Sequence, residues 1–126
     1  MMAALQMSRK PHDAYPALKH IVGQRYRDPR AEQYRQTFDN TMTPTATSSG
    51  SDASAEAACQ FHINATLSLR TEALIAMQLR HVKAWSERQL EEPVGDAILI
   101  VPAYYGQSER QAMLDEIGRA SCRERV

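Results

Sequence analysis

Residues that could bind a ligand or take part in chemistry lie at one junction, where an apolar run stops at a proline and a polar helix begins. The run Ala97–Val101 meets Pro102, passes through Tyr104 and Tyr105, and turns at Gly106. In open α/β sheets ligands collect beyond the carboxyl ends of strands, and the first amides of a helix attract anions. The junction is therefore a candidate binding site, although a plain structural connection would explain the same residues.

Two further features concern the chemistry of single residues. Ser108 and Gln111 have the spacing of a capping box over the helix that follows the junction. The histidines show no metal-ligand spacing. Cys59 is the single cysteine outside the last eleven residues, and no Ser-His-Asp or Cys-His grouping can be argued. We therefore expect no metal, and expect surface or partly packed positions for the four histidines, His12, His20, His62 and His81.

Composition narrows the class of protein. The 126 residues are 43% hydrophobic and 24% charged, which is typical of a globular chain with one modest core. Basic and acidic residues number 15 each and are scattered, which argues against nucleic acid as a partner. No apolar stretch approaches the roughly 20 residues of a membrane span, and the N-terminal residues do not resemble a signal peptide.

The first half of the chain predicts short elements. Residues 13–22 indicate a helix with Asp13 as N-cap and Gly23 as its C-terminal stop. A second helix is predicted from Arg30 to about Thr37, with Ala31, Tyr34 and Phe38 at helical spacing. The alternation in residues 59–63 and 66–69 predicts two antiparallel strands around Asn64 and Ala65.

The second half predicts an α/β arrangement. Thr71–Leu90 is an amphipathic helix whose buried stripe is expected to include Leu74, Ile75, Gln78, Val82 and Trp85, with Met77 beside it. The run Ala97–Val101 predicts a strand covered on both faces, and another helix begins near Gln107.

Two segments are expected to lie outside the folded part. Residues 40–58 are rich in serine, threonine and alanine and predict a mobile, disordered surface loop. The last eleven residues, 116–126, match the translation of a common sequencing-library adapter, so we interpret them as an artefact; a polar helical tail is the alternative. Cys122 lies in that tail, which leaves Cys59 as the single cysteine and excludes an intrachain disulfide.

The motif at the junction carries a family resemblance. DAILIVPAYYGQSERQAMLD, residues 96–115, resembles the nucleotide-binding domain of the heat-shock protein 70 superfamily. There an apolar strand ends in Val-Pro-Ala-Tyr-aromatic, and a short polar loop leads to a Gln-Arg-Gln-Ala type helix. ALKHIVG, residues 17–23, resembles the family's short lysine-bearing helix. The resemblance implies that residues 1–115 are a fragment with an α/β fold, the partial first lobe of an actin-like (ribonuclease-H-like) ATPase domain.

The resemblance assigns roles to four residues. Lys19 falls on the lysine that reaches toward the phosphates and the attacking water; a last-turn lysine that complements the helix dipole is the alternative. Pro102 and Arg110 fall on a proline and an arginine that relay the nucleotide state to the interdomain linker. A strand terminator and a solvated helix face are their structural alternatives. Tyr104 is expected to pack in the core beside this relay.

For the parent protein the resemblance implies a chaperone that binds ATP with magnesium and uses hydrolysis to switch its affinity for unfolded client proteins. The family's phosphate loops and other carboxylates are expected outside residues 1–115, so this chain alone should be inactive. The sequences of the junction and of residues 3–11 look most like those of the large endoplasmic-reticulum branch of the superfamily. The glycosylation sequon at Asn64 agrees with a chain in the endoplasmic-reticulum lumen, and the cytoplasm is the alternative. That branch also resembles non-enzymatic nucleotide-exchange factors and holdases, which implies a co-chaperone or second heat-shock protein 70 chaperone as partner.

Overall fold

The computed structural model describes residues 9–45 and 57–119. The chain divides after Thr71 into two units, which are described separately below. The first unit holds two short 3-10 turns, helix α1 (Pro29–Thr37) and three strands, β1 (Met42–Pro44), β2 (Cys59–His62) and β3 (Ser68–Arg70). Helix α2 (Thr71–Leu90) begins at the boundary, and α3 (Gln107–Arg119) belongs to the second unit.

The predicted helix over residues 13–22 is wrong in type. Two 3-10 turns, Pro11–Asp13 and Leu18–His20, stand there instead, and Asp13 ends the first turn rather than capping a helix. Pro16 lacks an N–H and favours extended backbone before it, and Ala17 adopts a left-handed φ of 54°, so no continuous helix can form. Gly23 has a left-handed φ of 68°, but it does not end a helix, since the 3-10 turn stops at His20 with Ile21 as its C-cap. The apolar face is buried as expected, at Leu18, Ile21 and Val22.

Helix α1 is confirmed within one residue of its predicted start. Asp28 has extended backbone at the N-cap and Pro29 occupies the first helical turn, where its missing N–H costs nothing. The Asp28 carboxylate accepts a hydrogen bond of 2.7 Å from the Arg25 amide, which fixes the entry to the helix. Ala31 and Tyr34 are buried on one side, as their spacing predicts.

The three strands form an antiparallel sheet in the order β1-β2-β3. Phe61 stands opposite both Met42 and Leu69, which places these apolar side chains on one face. The hairpin predicted around Asn64 is confirmed, and the Leu67 carbonyl closes it by accepting a bond of 2.9 Å from the Ile63 amide.

Residues 40–58 were expected to form a disordered loop, but the N-terminal part of this segment contains strand β1, Met42–Pro44. Asn40 and Met42 are buried, and Ala57 and Cys59 are buried where the chain returns. The middle of that segment, residues 46–56, lies outside the described residues.

Aromatic rings and one amide hold the first unit together. The ring of Phe61, which is fully buried, lies 5.3 Å from that of Tyr15 and 5.8 Å from that of Tyr34. The Tyr34 hydroxyl donates to the Pro16 carbonyl at 2.9 Å. Burial raises the pKa of Tyr34, because the phenolate would lose its hydration there. The buried Asn40 amide donates to three carbonyls, at 3.4, 3.2 and 2.7 Å, of Pro11, His12 and Ala14.

Helix α2 has the predicted bounds, but its buried stripe is shorter than expected. Leu74 and Ile75 are buried, whereas Val82 is exposed and Met77 and Trp85 are each more than half exposed. Periodicity shows which side of a helix is apolar, but not whether another layer covers it. The expectation of a buried stripe is therefore wrong for its C-terminal part, which comprises Met77, Gln78, Val82 and Trp85.

The predicted buried strand over Ala97–Val101 is not formed. No strand spans these residues in the described part of the chain, and the side chains of Ile98 and Ile100 are 95% and 83% exposed. A strand of this kind needs ladder partners and a layer on each face, which the described residues do not supply. Helix α3 does begin at Gln107, as predicted.

Candidate functional site

The junction begins with a tight turn at Pro102. The Tyr105 amide donates to the Pro102 carbonyl at 3.1 Å, which closes a four-residue turn through Ala103 and Tyr104. Pro102 is half-buried and its fixed φ suits the entry to the turn. The proline therefore sets the direction in which the chain enters α3.

Arg110 closes the same junction from the helix side. Its Nε donates to the Tyr105 carbonyl at 3.2 Å, although the residue is exposed. Pro102 and Arg110 thus bond to the two backbone groups of one residue, Tyr105, whose side chain is 5% exposed. The structure brings the two predicted relay residues together through Tyr105, which the sequence did not single out for this role.

The two tyrosines of the turn differ in burial, and the buried one is Tyr105. Tyr104 is 47% exposed, so the prediction that it packs in the core is wrong. Its ring meets that of Tyr105 edge to face, with centroids 5.7 Å apart. Sequence reasoning placed the buried ring one residue too early, because the register of a turn is not visible in an apolar pattern.

The start of α3 is capped by Glu109 and not by the predicted pair of Ser108 and Gln111. The Glu109 Oε2 atom accepts from the Gly106 amide at 3.0 Å and from the Ser108 hydroxyl at 2.9 Å. Gln111 instead donates to Asp115 on the exposed side of the helix, at 2.9 Å. A Cβ at Gly106 would lie 3.0 Å from Glu109 Oε2, so a larger residue there would require the carboxylate to shift by a few tenths of an ångström. The chain's own carboxylate therefore occupies the Gly106 amide that an anion would need.

Lys19 belongs to the first unit, and the junction residues belong to the second. It is exposed, in the 3-10 turn between the buried Leu18 and the exposed His20. Burial of Leu18 and Ile21 fixes the turn, so the backbone that carries Lys19 is anchored while its side chain points outward. Its proposed role toward phosphates stays a prediction.

Asn64 lies exposed in the turn between β2 and β3. Its Oδ1 accepts from the Thr66 amide at 3.0 Å, the Thr66 hydroxyl at 3.1 Å and the Leu67 amide at 2.8 Å. These bonds use the side-chain oxygen, whereas a glycan would join the side-chain nitrogen. The predicted glycosylation site is therefore placed at an accessible turn.

Sequence reasoning missed a contact on the outer face of the sheet. His62 Nδ1 lies 2.7 Å from the Ser68 hydroxyl, and His62 Nε2 lies 3.0 Å from the Thr43 hydroxyl. The alternation in both strands marks these positions as outward-facing, but only the strand register shows that they meet. Within residues 9–45 and 57–119, no cluster of three His, Cys, Asp or Glu residues could hold a metal ion. In the same part of the chain, no helix is long and apolar enough to cross a membrane.

Comparison with known proteins defines the class. A family model described as Hsp70 protein matches residues 1–121, and the chain belongs to this family. The helices and the small antiparallel sheet are accordingly part of an actin-like α/β lobe. The match includes residues 116–121 of the segment interpreted as adapter-derived, and the origin of that segment stays a prediction.

Individual relatives are more distant. The chain is 27% identical over 121 residues to "Heat shock 70 kDa protein 16" of Arabidopsis thaliana, covering 96% of this chain and 15% of the relative. It is 33% identical over 113 residues to "Heat shock 70 kDa protein, mitochondrial" of Dictyostelium discoideum, covering 90% and 16%. It is 28% identical over 113 residues to "Hypoxia up-regulated protein 1" of Gallus gallus, covering 89% and 11%. The chain thus spans less than a fifth of each of these relatives.

Proposed function

We propose that this chain is part of the nucleotide-binding domain of an ATP-dependent chaperone of the endoplasmic reticulum lumen. The parent protein binds ATP with magnesium and couples its hydrolysis to the binding and release of unfolded client proteins. Membership of the Hsp70 family supports the chaperone class, and the resemblance of the junction to the large endoplasmic-reticulum branch supports the compartment. The sequon at the exposed Asn64 turn is consistent with a lumenal chain.

The observation that carries the proposal is the convergence of Pro102 and Arg110 on Tyr105. A change in the direction of the chain at Pro102 alters the position of the Tyr105 amide, and the opposite end of the same residue is held by Arg110. Because the Tyr105 ring is buried, the residue moves with its surroundings rather than independently. The junction therefore has the connections that a relay between nucleotide and linker requires.

Lys19 is the proposed catalytic residue of the parent. An ammonium group near the transferred phosphoryl group stabilises the charge that develops there and helps to hold the attacking water. Its exposed position on an anchored turn supports this role, since the side chain can reach toward a ligand while the backbone stays in place.

The test uses the full-length parent protein, obtained by extending the transcript beyond both ends of this chain. ATP hydrolysis and ATP-induced release of a fluorescent unfolded client are measured for the wild type and for Lys19→Ala, Arg110→Ala and Gln111→Ala. Lys19→Ala should lower the turnover by about 100-fold or more, within the range of electrostatic contributions to catalysis. Arg110→Ala should keep hydrolysis but lose ATP-induced release, because the Tyr105 carbonyl loses its bond to the helix.

Gln111→Ala is the matched control, since Gln111 lies beside Arg110 but bonds only to the exposed Asp115. Equal client release in the Arg110 and Gln111 variants would overturn the relay. A full-length protein that does not hydrolyse ATP, yet accelerates nucleotide release from a standard heat-shock protein 70 chaperone, would replace the proposal with the exchange-factor alternative.

A further inference from the structure

The outer face of the sheet in the first unit carries a hydrogen-bonded row of two hydroxyls and an imidazole between them. Ser68 Oγ lies 2.7 Å from His62 Nδ1, and Thr43 Oγ1 lies 3.0 Å from His62 Nε2. His62 and Ser68 are direct cross-strand partners in β2 and β3. Backbone pairing therefore places the two residues opposite each other on one face of the sheet.

This row has the geometry of an activated nucleophile: a hydroxyl within hydrogen-bond reach of a base that a third group orients. With its proton on Nε2, the imidazole donates to Thr43 and accepts the Ser68 proton at Nδ1. Gln60 donates to Thr43 Oγ1 at 3.3 Å and so helps to hold that hydroxyl in place. His62 is exposed, and Ser68 and Thr43 are half-buried, so a small molecule can approach the row from solvent.

We propose that Ser68 is a nucleophile activated by His62 and positioned through Thr43, and that it takes acyl groups from small, reactive carboxylic esters. The Ser68 hydroxyl transfers its proton to His62 Nδ1 while Oγ bonds to the ester carbonyl carbon. The oxyanion re-forms the carbonyl and expels the leaving group. An alkoxide takes up the proton of the imidazolium, whereas a phenolate leaves as the anion and the imidazolium gives its proton to water. Ser68 is left as an acyl ester, and His62 returns to its neutral form.

The acyl ester on Ser68 is then hydrolysed, with the same residues acting in the reverse order. A water molecule gives a proton to His62 and attacks the acyl carbon, the bond from that carbon to Ser68 Oγ breaks, and the proton returns to Ser68. Arg70 follows two residues after Ser68 and so projects from the same face of β3, which places a cation on the side where the oxyanion develops.

This inference is independent of the proposed chaperone function. Thr43, His62 and Ser68 belong to the first unit, whereas Pro102 and Arg110 belong to the second. The reaction uses neither ATP nor the junction, so it can fail or succeed without bearing on the relay.

The experiment treats the full 126-residue chain with p-nitrophenyl acetate. It follows nitrophenolate release and locates the acetyl group by mass spectrometry of peptides. The expected result is an initial burst with one acetyl group on Ser68. Ser68→Ala should abolish that adduct, and His62→Gln should slow its formation by about 100-fold, the low end of what general-base catalysis contributes. Ser108→Ala is the control, because the Ser108 hydroxyl bonds to a carboxylate and not to an imidazole.

A second pair of variants tests the positioning role of Thr43. Thr43→Val keeps the shape but loses the hydroxyl, and should slow acetylation of Ser68 by several-fold; Thr43→Ser keeps the hydroxyl and should restore the wild-type rate. Far-UV circular dichroism checks that each variant is folded. Acetyl groups found only on lysines or the N-terminus, or acetylation of Ser68 at the same rate in wild type and His62→Gln, would overturn the proposal.

Discussion

Removal of the Glu109 carboxylate should loosen the junction locally. In Glu109→Ala the Gly106 amide loses its acceptor at 3.0 Å and the Ser108 hydroxyl loses its acceptor at 2.9 Å. Loss of a side-chain cap at a helix N-terminus typically costs about 0.5–2 kcal/mol. Ser108 is exposed and water can replace its bond, so most of the loss comes from the Gly106 amide and amounts to about 1.4 kcal/mol.

That free energy corresponds to about a tenfold change in the population of the opened turn. Amide hydrogen exchange measured by NMR reports this population residue by residue. Exchange at Gly106 should accelerate about tenfold in Glu109→Ala. The Tyr105 amide should follow with a smaller increase, because its bond to Pro102 closes the adjoining turn. Glu109→Gln keeps an oxygen acceptor and should recover most of the protection.

Two controls separate a local effect from a general one. Gln111→Ala removes an exposed bond to Asp115 one turn along and should leave the Gly106 amide unchanged. Amides in the first unit, such as that of Phe61, should also exchange as in the wild type. Unchanged exchange at Gly106 in Glu109→Ala would refute the capping role of Glu109. An equal acceleration of exchange in both units would show that the substitution does not act locally.

Three further perturbations test the first unit. Asn40→Asp replaces a buried amide that donates to three carbonyls with a group that repels them. The free energy of unfolding, measured by urea denaturation, should fall by about 3 kcal/mol. An unchanged urea midpoint would contradict this. Burial raises the pKa of Tyr34, so the contribution of the neutral phenol to stability is complete below about pH 10 and is lost as the pH rises further. Tyr34→Phe should therefore flatten the fall in melting temperature above about pH 10, whereas Tyr104→Phe should not. Glycosylation of the chain in a secretory pathway should disappear in Thr66→Ala with a shift in gel mobility, and a persistent shift would exclude Asn64 as its site.

Sequence reasoning succeeded where the structure depends on local pattern. Thr71–Leu90 has a long apolar period, and the hairpin around Asn64 has alternating residues on both sides of a turn, so each element was predicted with nearly its observed bounds. It failed over residues 13–22, where Pro16 and the left-handed Ala17 override helical spacing. It also failed over Ala97–Val101, because an apolar run shows a tendency to be buried but not the presence of the layers that would bury it.

Some residues of the candidate sites could also be predicted from local sequence, and others could not. Pro102 and Arg110 were identified from a motif, but Tyr105, which bonds to both, lies in a turn whose register the sequence does not show. The contact between His62 and Ser68 depends on strand pairing, and neither residue lies in a recognisable local motif. Residues that act through neighbours in sequence are therefore accessible to sequence reasoning, whereas residues that meet across a sheet need the structure.

The geometry at Tyr105 explains why the junction should transmit a displacement instead of absorbing it. Pro102 bonds to its amide and Arg110 to its carbonyl, so a relative movement of the two must either break a hydrogen bond or rotate the backbone on one side of Tyr105. Rotation is opposed because the ring is buried, and the proline cannot adapt its own φ. Tyr104 is much more exposed than Tyr105, so burial opposes its rotation less. A rigid connection of this kind is useful only if the elements at its two ends move, so the relay requires that nucleotide binding displace the segment before Pro102 relative to α3.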